Sequence, residues 1–230
     1  KEKKPFLAVI WFHAPHSPVV AGPEYRAMYK SLSIEKQHYY GCITALDEQV
    51  GRLRSELKKL NIADNTIVTF CSDNGPARQG SPRQVGTANH LTGHKLSLRE
   101  GGIRVPGLMV WPAKFPKPRT VTTPCVTTDY FPTILAALDI ALPADRPYDG
   151  KNILRYIENT ELKRSGGIGF LHNKGAWIEH RYKLYTHDGK NFKLYDIIDD
   201  PSEKKDLSKQ FPEIKQRLIK DFNAWQKINC

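Results

Sequence analysis

Two β-prone apolar runs flank one long amphipathic helix, and that order constrains the fold more than any other feature of the chain. The first run, Phe6-Leu7-Ala8-Val9-Ile10-Trp11-Phe12, is continuously apolar, the pattern of a strand covered on both faces in a parallel sheet. The helix is expected to start after Ser33 as N-cap, with Glu35 near the positive end of its dipole. Tyr39, Ile43, Leu46, Val50, Leu53, Leu57 and Leu60 then step by four and three along one face. Asn61 and the pair Asp64-Asn65 end it and lead into the second run, Thr66-Ile67-Val68-Thr69-Phe70-Cys71-Ser72. Strand, helix, strand in that order predicts a parallel pair joined by a right-handed crossover.

Further along, Gly107-Leu108-Met109-Val110-Trp111 reads as another short strand, and Asp129-Tyr130-Phe131-Pro132 opens a helix running through Leu138, proline being well tolerated in a first turn. Beyond Gly166 the pattern changes. Short β-prone pieces at residues 168–171, 176–179, 182–186 and 193–196 are separated by turn signals such as Lys174-Gly175 and Asp188-Gly189, which predicts an antiparallel sheet. A last helix starts at Pro212 and gathers Ile214, Leu218, Phe222 and Trp225 on one face. The expected fold class is α/β: a partly parallel sheet flanked by helices over residues 1–160, and a small antiparallel sheet with a helix over residues 161–230.

Composition narrows the function classes. No apolar run approaches the ~20 residues a membrane-spanning helix needs, and no signal peptide is visible before residue 6. Net charge is +11, yet the basic residues are scattered, with small clusters such as Lys3-Lys4, Lys58-Lys59 and Lys204-Lys205. Without interleaved aromatics this marks no nucleic-acid module, although it suits an anionic partner. Cys42, Cys71, Cys125 and Cys230 are widely spaced with no CxxC, which argues against a zinc site and leaves the disulfide state open.

The chemistry concentrates where the second run ends. Asp73 and Asn74 place two oxygen donors at the carboxyl end of a strand, where open α/β sheets hold ligands, and such donors suit calcium or magnesium. A hairpin or turn is the competing reading, because Asn74-Gly75 is a strong turn dipeptide. Lys95, in the glycine-rich string that ends Arg99-Glu100-Gly101-Gly102, is suited to an anionic substrate on that metal. Glu100 and Arg104 are expected to pair and brace this turn. His16 follows the first run. If the two runs lie parallel, His16 shares a sheet edge with Asp73, where it could hold an anion or protonate a leaving oxygen.

These segments together resemble the later part of the type I, formylglycine-dependent sulfatases of the alkaline-phosphatase-like superfamily. The resemblance runs through His13-Ala14-Pro15-His16-Ser17-Pro18, Ser72-Asp73-Asn74-Gly75, and Lys95 followed by Glu100-Gly101-Gly102-Ile103-Arg104-Val105-Pro106. It continues through Thr128-Asp129-Tyr130-Phe131-Pro132-Thr133 and Leu194-Tyr195-Asp196 to Asp200-Pro201-Ser202-Glu203 and Asp206-Leu207. It implies that Asp73 and Asn74 bind one calcium ion, and that His16 and Lys95 contact the sulfate and its leaving oxygen. It implies a sulfate ester as substrate, with a sulfated carbohydrate suggested by the positive charge, and a periplasmic, secreted or lysosomal-type compartment. It says nothing of oligomeric state.

One departure is large. The family's nucleophile arises from Cys or Ser in a (Cys/Ser)-x-Pro-x-Arg motif, and no such string occurs here; Ser81-Pro82-Arg83 has the wrong spacing. The expectation is therefore a C-terminal portion of a sulfatase, with nucleophile and remaining metal ligands supplied from upstream and no activity alone. Two other readings stay open: a phosphoester or phosphonate hydrolase or phosphotransferase of the same superfamily, and a non-catalytic polyanion-binding protein.

Overall fold

The computed structural model describes residues 4–78 and 85–229. Gly80, the Ser81-Pro82-Arg83 string and Cys230 lie outside the described residues. The chain forms two compact units that interleave along the sequence: residues 1–72, 76–87 and 106–116 make the first, and residues 73–75, 88–105 and 117–230 the second.

In the first unit α1 (Pro23–Ala27) lies against α2 (Ile34–Lys59). Helix α2 follows Ser33 as N-cap and has Glu35 in its first turn, where the sequence placed them. It ends through Asn61, whose φ of 55° is the left-handed conformation. The Asn61 N–H donates to Lys58 O at 2.9 Å and the Ile62 N–H to Leu57 O at 3.1 Å, the paired bonds of a Schellman stop. The buried face differs from the expected stripe. His38, Gly41, Cys42 and Leu57 are buried, whereas Ile43 and Leu60 are exposed. The reason is the segment before α1. The Ala21 N–H donates to His38 Nδ1 at 3.1 Å, the Cys42 thiol donates to Val20 O at 3.1 Å, and Val19 and Ala21 pack on Cys42.

The expected parallel sheet is not what these residues form. β1 (Val68–Cys71) pairs antiparallel with β2 (Gly107–Val110), Val68 opposite Val110. Residues 6–12 form no strand, and Trp11 is 91% exposed. Apolar periodicity records a tendency to be buried, and a strand buried on both faces exists only where neighbouring strands flank it. Among the described residues none flanks this segment.

In the second unit a 3-10 turn (Thr127–Asp129) leads into α4 (Tyr130–Ala137), and α3 (Glu100–Ile103) and α5 (Leu154–Glu158) are single turns. β3 (Ile168–Leu171), β4 (Gly175–Glu179), β5 (Tyr182–Thr186) and β6 (Phe192–Asp196) form an antiparallel meander in chain order. Alternation divides its residues between two faces. Trp177, Leu184 and Leu194 are in register and meet Leu218 and Phe222 of α6 (Pro212–Asn229) in one core. Ile168 and Ile178 turn to the other face, where Ile103 of α3 and Val126 pack. Among the described residues no helix is long and apolar enough to cross a membrane.

Candidate functional site

Asp73 and Asn74 occupy the bend that follows β1. The Asn74 amide donates to Asp73 Oδ2, so the two side chains converge with the Asp73 carboxylate exposed to solvent. The next residue explains the position of the bend. The Gly75 N–H donates to Gly102 O at 2.9 Å, and a Cβ on Gly75 would lie 1.9 Å from Gly101 O. Only glycine lets the two backbones approach this closely.

The loop carrying Lys95 rests on the same glycine pair. The Gly101 N–H donates to Thr92 O at 2.7 Å and the Ser97 N–H to His94 O at 2.9 Å. A Cβ on Gly102 would meet Ser97 O at 2.1 Å. Lys95 is half-buried, and its ammonium has no anionic partner within hydrogen-bonding reach among the described residues. The structure thus brings Asp73, Asn74 and Lys95 onto one support, Gly101-Gly102 of α3, within the second unit.

His16 belongs to the first unit. Its Nδ1 lies 2.9 Å from Ser17 O, and His13 Nε2 lies 3.1 Å from the same oxygen. A carbonyl accepts, so the proton of neutral His16 is assigned to Nδ1, leaving Nε2 as the second ring atom for proton traffic. Among the described residues no parallel strand pair forms, so the expected shared sheet edge for His16 and Asp73 does not arise from strand pairing.

The glycine support is itself anchored by charges that the sequence pattern did not mark as a group. Glu100 does bridge Arg104, at 3.6 Å, but its tighter partner is Lys183 of β5, whose ammonium donates to Glu100 Oε1 at 2.8 Å. Lys183 also lies 3.2 Å from Glu203 Oε1, and Glu203 Oε2 accepts the Glu100 N–H at 2.7 Å. Arg99 Nε sits 3.0 Å from Glu203 Oε2, and its guanidinium lies over Tyr195 and Tyr185. The one available signal was Lys183 itself, a lysine inside a strand with apolar neighbours.

As for chemistry, carboxylate and amide oxygens are hard donors of the kind calcium and magnesium take. They are two in number, and among the described residues no cluster of three or more His, Cys, Asp or Glu could hold a metal. The pair fits such an ion in kind and supplies part of its shell.

Residues 1–140 match the family model described as Sulfatase, and the chain belongs to the sulfatase family. It is 30% identical over 197 residues to "Uncharacterized sulfatase YdeN" of Escherichia coli (strain K12), covering 84% of this chain and 33% of that protein. It is 31% identical over 206 residues to an N-acetylgalactosamine-6-O-sulfatase of Bacteroides thetaiotaomicron, covering 76% of this chain and 39% of the relative. A solved structure of Ps i-CgsB in complex with k-i-k-neocarrahexaose superposes with a TM-score of 0.83 at 29% identity, over 92% of this chain and 48% of the other. The chain therefore spans 33% to 48% of the length of these three proteins.

Proposed function

We propose that this chain supplies the metal-pair and sulfate-contacting half of a sulfuric ester hydrolase acting on a sulfated carbohydrate. The observation that carries the reading is the seating of Asp73, Asn74 and Lys95 on one glycine support in a chain of the sulfatase family. A resident divalent cation, calcium in this reading, supplies Lewis acidity toward the sulfate oxygens. Asp73 and Asn74 would hold it from this chain through their side-chain oxygens, with the other ligands supplied from outside these residues.

Lys95, which has no carboxylate partner among the described residues, is assigned the holding of sulfuryl charge. His16 Nε2 is assigned the proton for the leaving oxygen. No (Cys/Ser)-x-Pro-x-Arg string is present, so the nucleophile is assigned to chain outside these 230 residues, and the 230-residue chain alone is inert. The carbohydrate assignment draws on what the relatives are named for, an N-acetylgalactosamine-6-O-sulfatase and a protein bound to a carrahexaose, and on the net charge of +11.

The test is aryl-sulfate turnover by the full-length protein beside its Asp73→Ala and Lys95→Ala variants, with phosphate monoesters and diesters assayed in parallel. Each variant is expected to lose about 100-fold or more in turnover, the scale of a removed charge-stabilising group. Undiminished rates in both variants would overturn the reading. Turnover confined to phosphate esters would replace it with a phosphoester hydrolase.

A further inference from the structure

We infer that Lys183 is a positioning residue for the Asp73–Asn74 pair and for Lys95, acting through Glu100 and Glu203; the inference rests on the sulfatase reading of those three residues. Lys183 comes from the middle of β5, more than eighty residues along the chain from the loop it would control. Its side chain is fully buried, as is that of Glu203, and Glu100 is nearly so. The core on the α6 face of the sheet is apolar. Lys183 points to the opposite face, in register with Ile178 and Tyr195, where α3 packs.

The contacts form a chain without slack. Lys183 holds the Glu100 side chain at 2.8 Å, and Glu203 holds the Glu100 backbone N–H at 2.7 Å. The first residue of α3 is thereby fixed by both its side chain and its backbone. The next two residues of α3, Gly101 and Gly102, touch the Asp73 bend and the Lys95 loop through backbone atoms at distances that admit no Cβ. A shift of α3 must then displace both segments, because close-packed backbone transmits displacement.

Glu203 shows that the anchor is over-determined. Its φ of 52° is a left-handed backbone that a glutamate seldom adopts. It is kept there by Arg99, whose guanidinium also donates to Glu203 O at 2.6 Å, and by the Lys183 ammonium. The anchor sets two buried carboxylates against the buried Lys183, against Arg99, and against Arg104 at its solvent-facing edge. Removing only the Lys183 charge would leave the two buried carboxylates without their one fully buried cation, with Arg99 on Glu203 and the half-exposed Arg104 3.6 Å from Glu100, an arrangement less favourable than the intact cluster.

The experiment uses Lys183→Met and Glu203→Gln in the full-length protein, read by hydrogen–deuterium exchange and by steady-state kinetics. Glutamine keeps an oxygen for the Glu100 N–H and removes the charge. Amides of residues 73–75 and 92–104 are expected to exchange roughly tenfold faster in both variants, with those of α6 unchanged. The calcium concentration for half-maximal aryl-sulfate turnover is expected to rise about tenfold or more, as for residues that orient metal ligands at one remove.

A smaller folded fraction would lower kcat alone and leave the calcium requirement where it was; that result overturns the proposal. So does exchange that is unchanged at 73–75 and 92–104 in both variants, or raised equally across the whole second unit. If Lys183→Met yields no folded protein, Glu203→Gln decides by the same criteria. If the unmodified protein hydrolyses no sulfate ester, the sulfatase reading fails, and the exchange data still decide whether Lys183 holds the two segments.

Discussion

Arg164 grips Asp129 with two parallel hydrogen bonds, Nη1 to Oδ2 and Nη2 to Oδ1, each 2.8 Å long, and both side chains are buried. The same carboxylate accepts the Val126 N–H at 2.8 Å and the Lys151 N–H at 2.7 Å. Asp129 thus ties the start of α4, the turn before it and the segment near Lys151 to one point. Arg164→Met is expected to destabilise the second unit by about 3–5 kcal/mol, because it leaves a buried carboxylate without its cation. Arg164→Lys should recover little of this, since an ammonium cannot reproduce the fork. Urea unfolding followed by tryptophan fluorescence measures both, and equal stability of all three proteins would show that the pair contributes nothing.

Leu218 is fully buried in the core between α6 and the meander, beside Leu184 and Leu194. Leu218→Ala is expected to cost about 2–5 kcal/mol, the range for a buried leucine that leaves a cavity. Exposed Ile228, on the same helix and 67% accessible, should be replaceable by alanine at a cost within about 0.5 kcal/mol. The contrast between the two midpoints in urea is the measurement.

Gly75→Ala tests the close approach at the site. The added methyl would meet backbone rather than a flexible side chain, so the Asp73 bend has to move. Turnover of the full-length protein on an aryl sulfate is expected to fall about 100-fold, the scale of a small misplacement in a preorganised site. Near-wild-type turnover in Gly75→Ala would mean that the bend and the glycine support are not coupled to catalysis.

Cys125 offers a pH-dependent readout. The residue as a whole is exposed, but protein atoms crowd its thiol, and this burial, with the Asp129 carboxylate adding to it, pushes its pKa up to about 11. The thiolate is the reactive form. Alkylation at Cys125 should therefore stay slow at pH 8 and rise about tenfold per pH unit until near pH 11, since each unit below the pKa cuts the thiolate fraction tenfold. Mass-spectrometric rates across that range check it, and a plateau by pH 9 would contradict it.

The meander was legible almost residue by residue. Its four strands lie within one residue of the expected spans, because turn dipeptides and alternation are local signals that a neighbouring strand in sequence satisfies. The apolar face of α6 was legible for the same reason, its partners being the sheet that precedes it. Helix α2 kept its expected start and stop, while its buried face was reassigned by the His38 and Cys42 contacts to residues 19–21, which no periodicity encodes.

Sequence alone determined the family, through motifs read in order, and nominated Asp73, Asn74 and Lys95 as candidate site residues. Local composition also determined the four strands of the meander and the starts of α2, α4 and α6, while the short helices α1, α3 and α5 carried no signal that was read. Tertiary structure alone decided that β1 pairs antiparallel with β2 and that residues 6–12 remain unpaired, since pairing depends on which strands are present as neighbours. It also decided that Lys183, Glu100 and Glu203 meet. A buried charge is tolerated only beside its counter-charge, and that partner is chosen by distance in space, which the spacing of residues along a chain does not record.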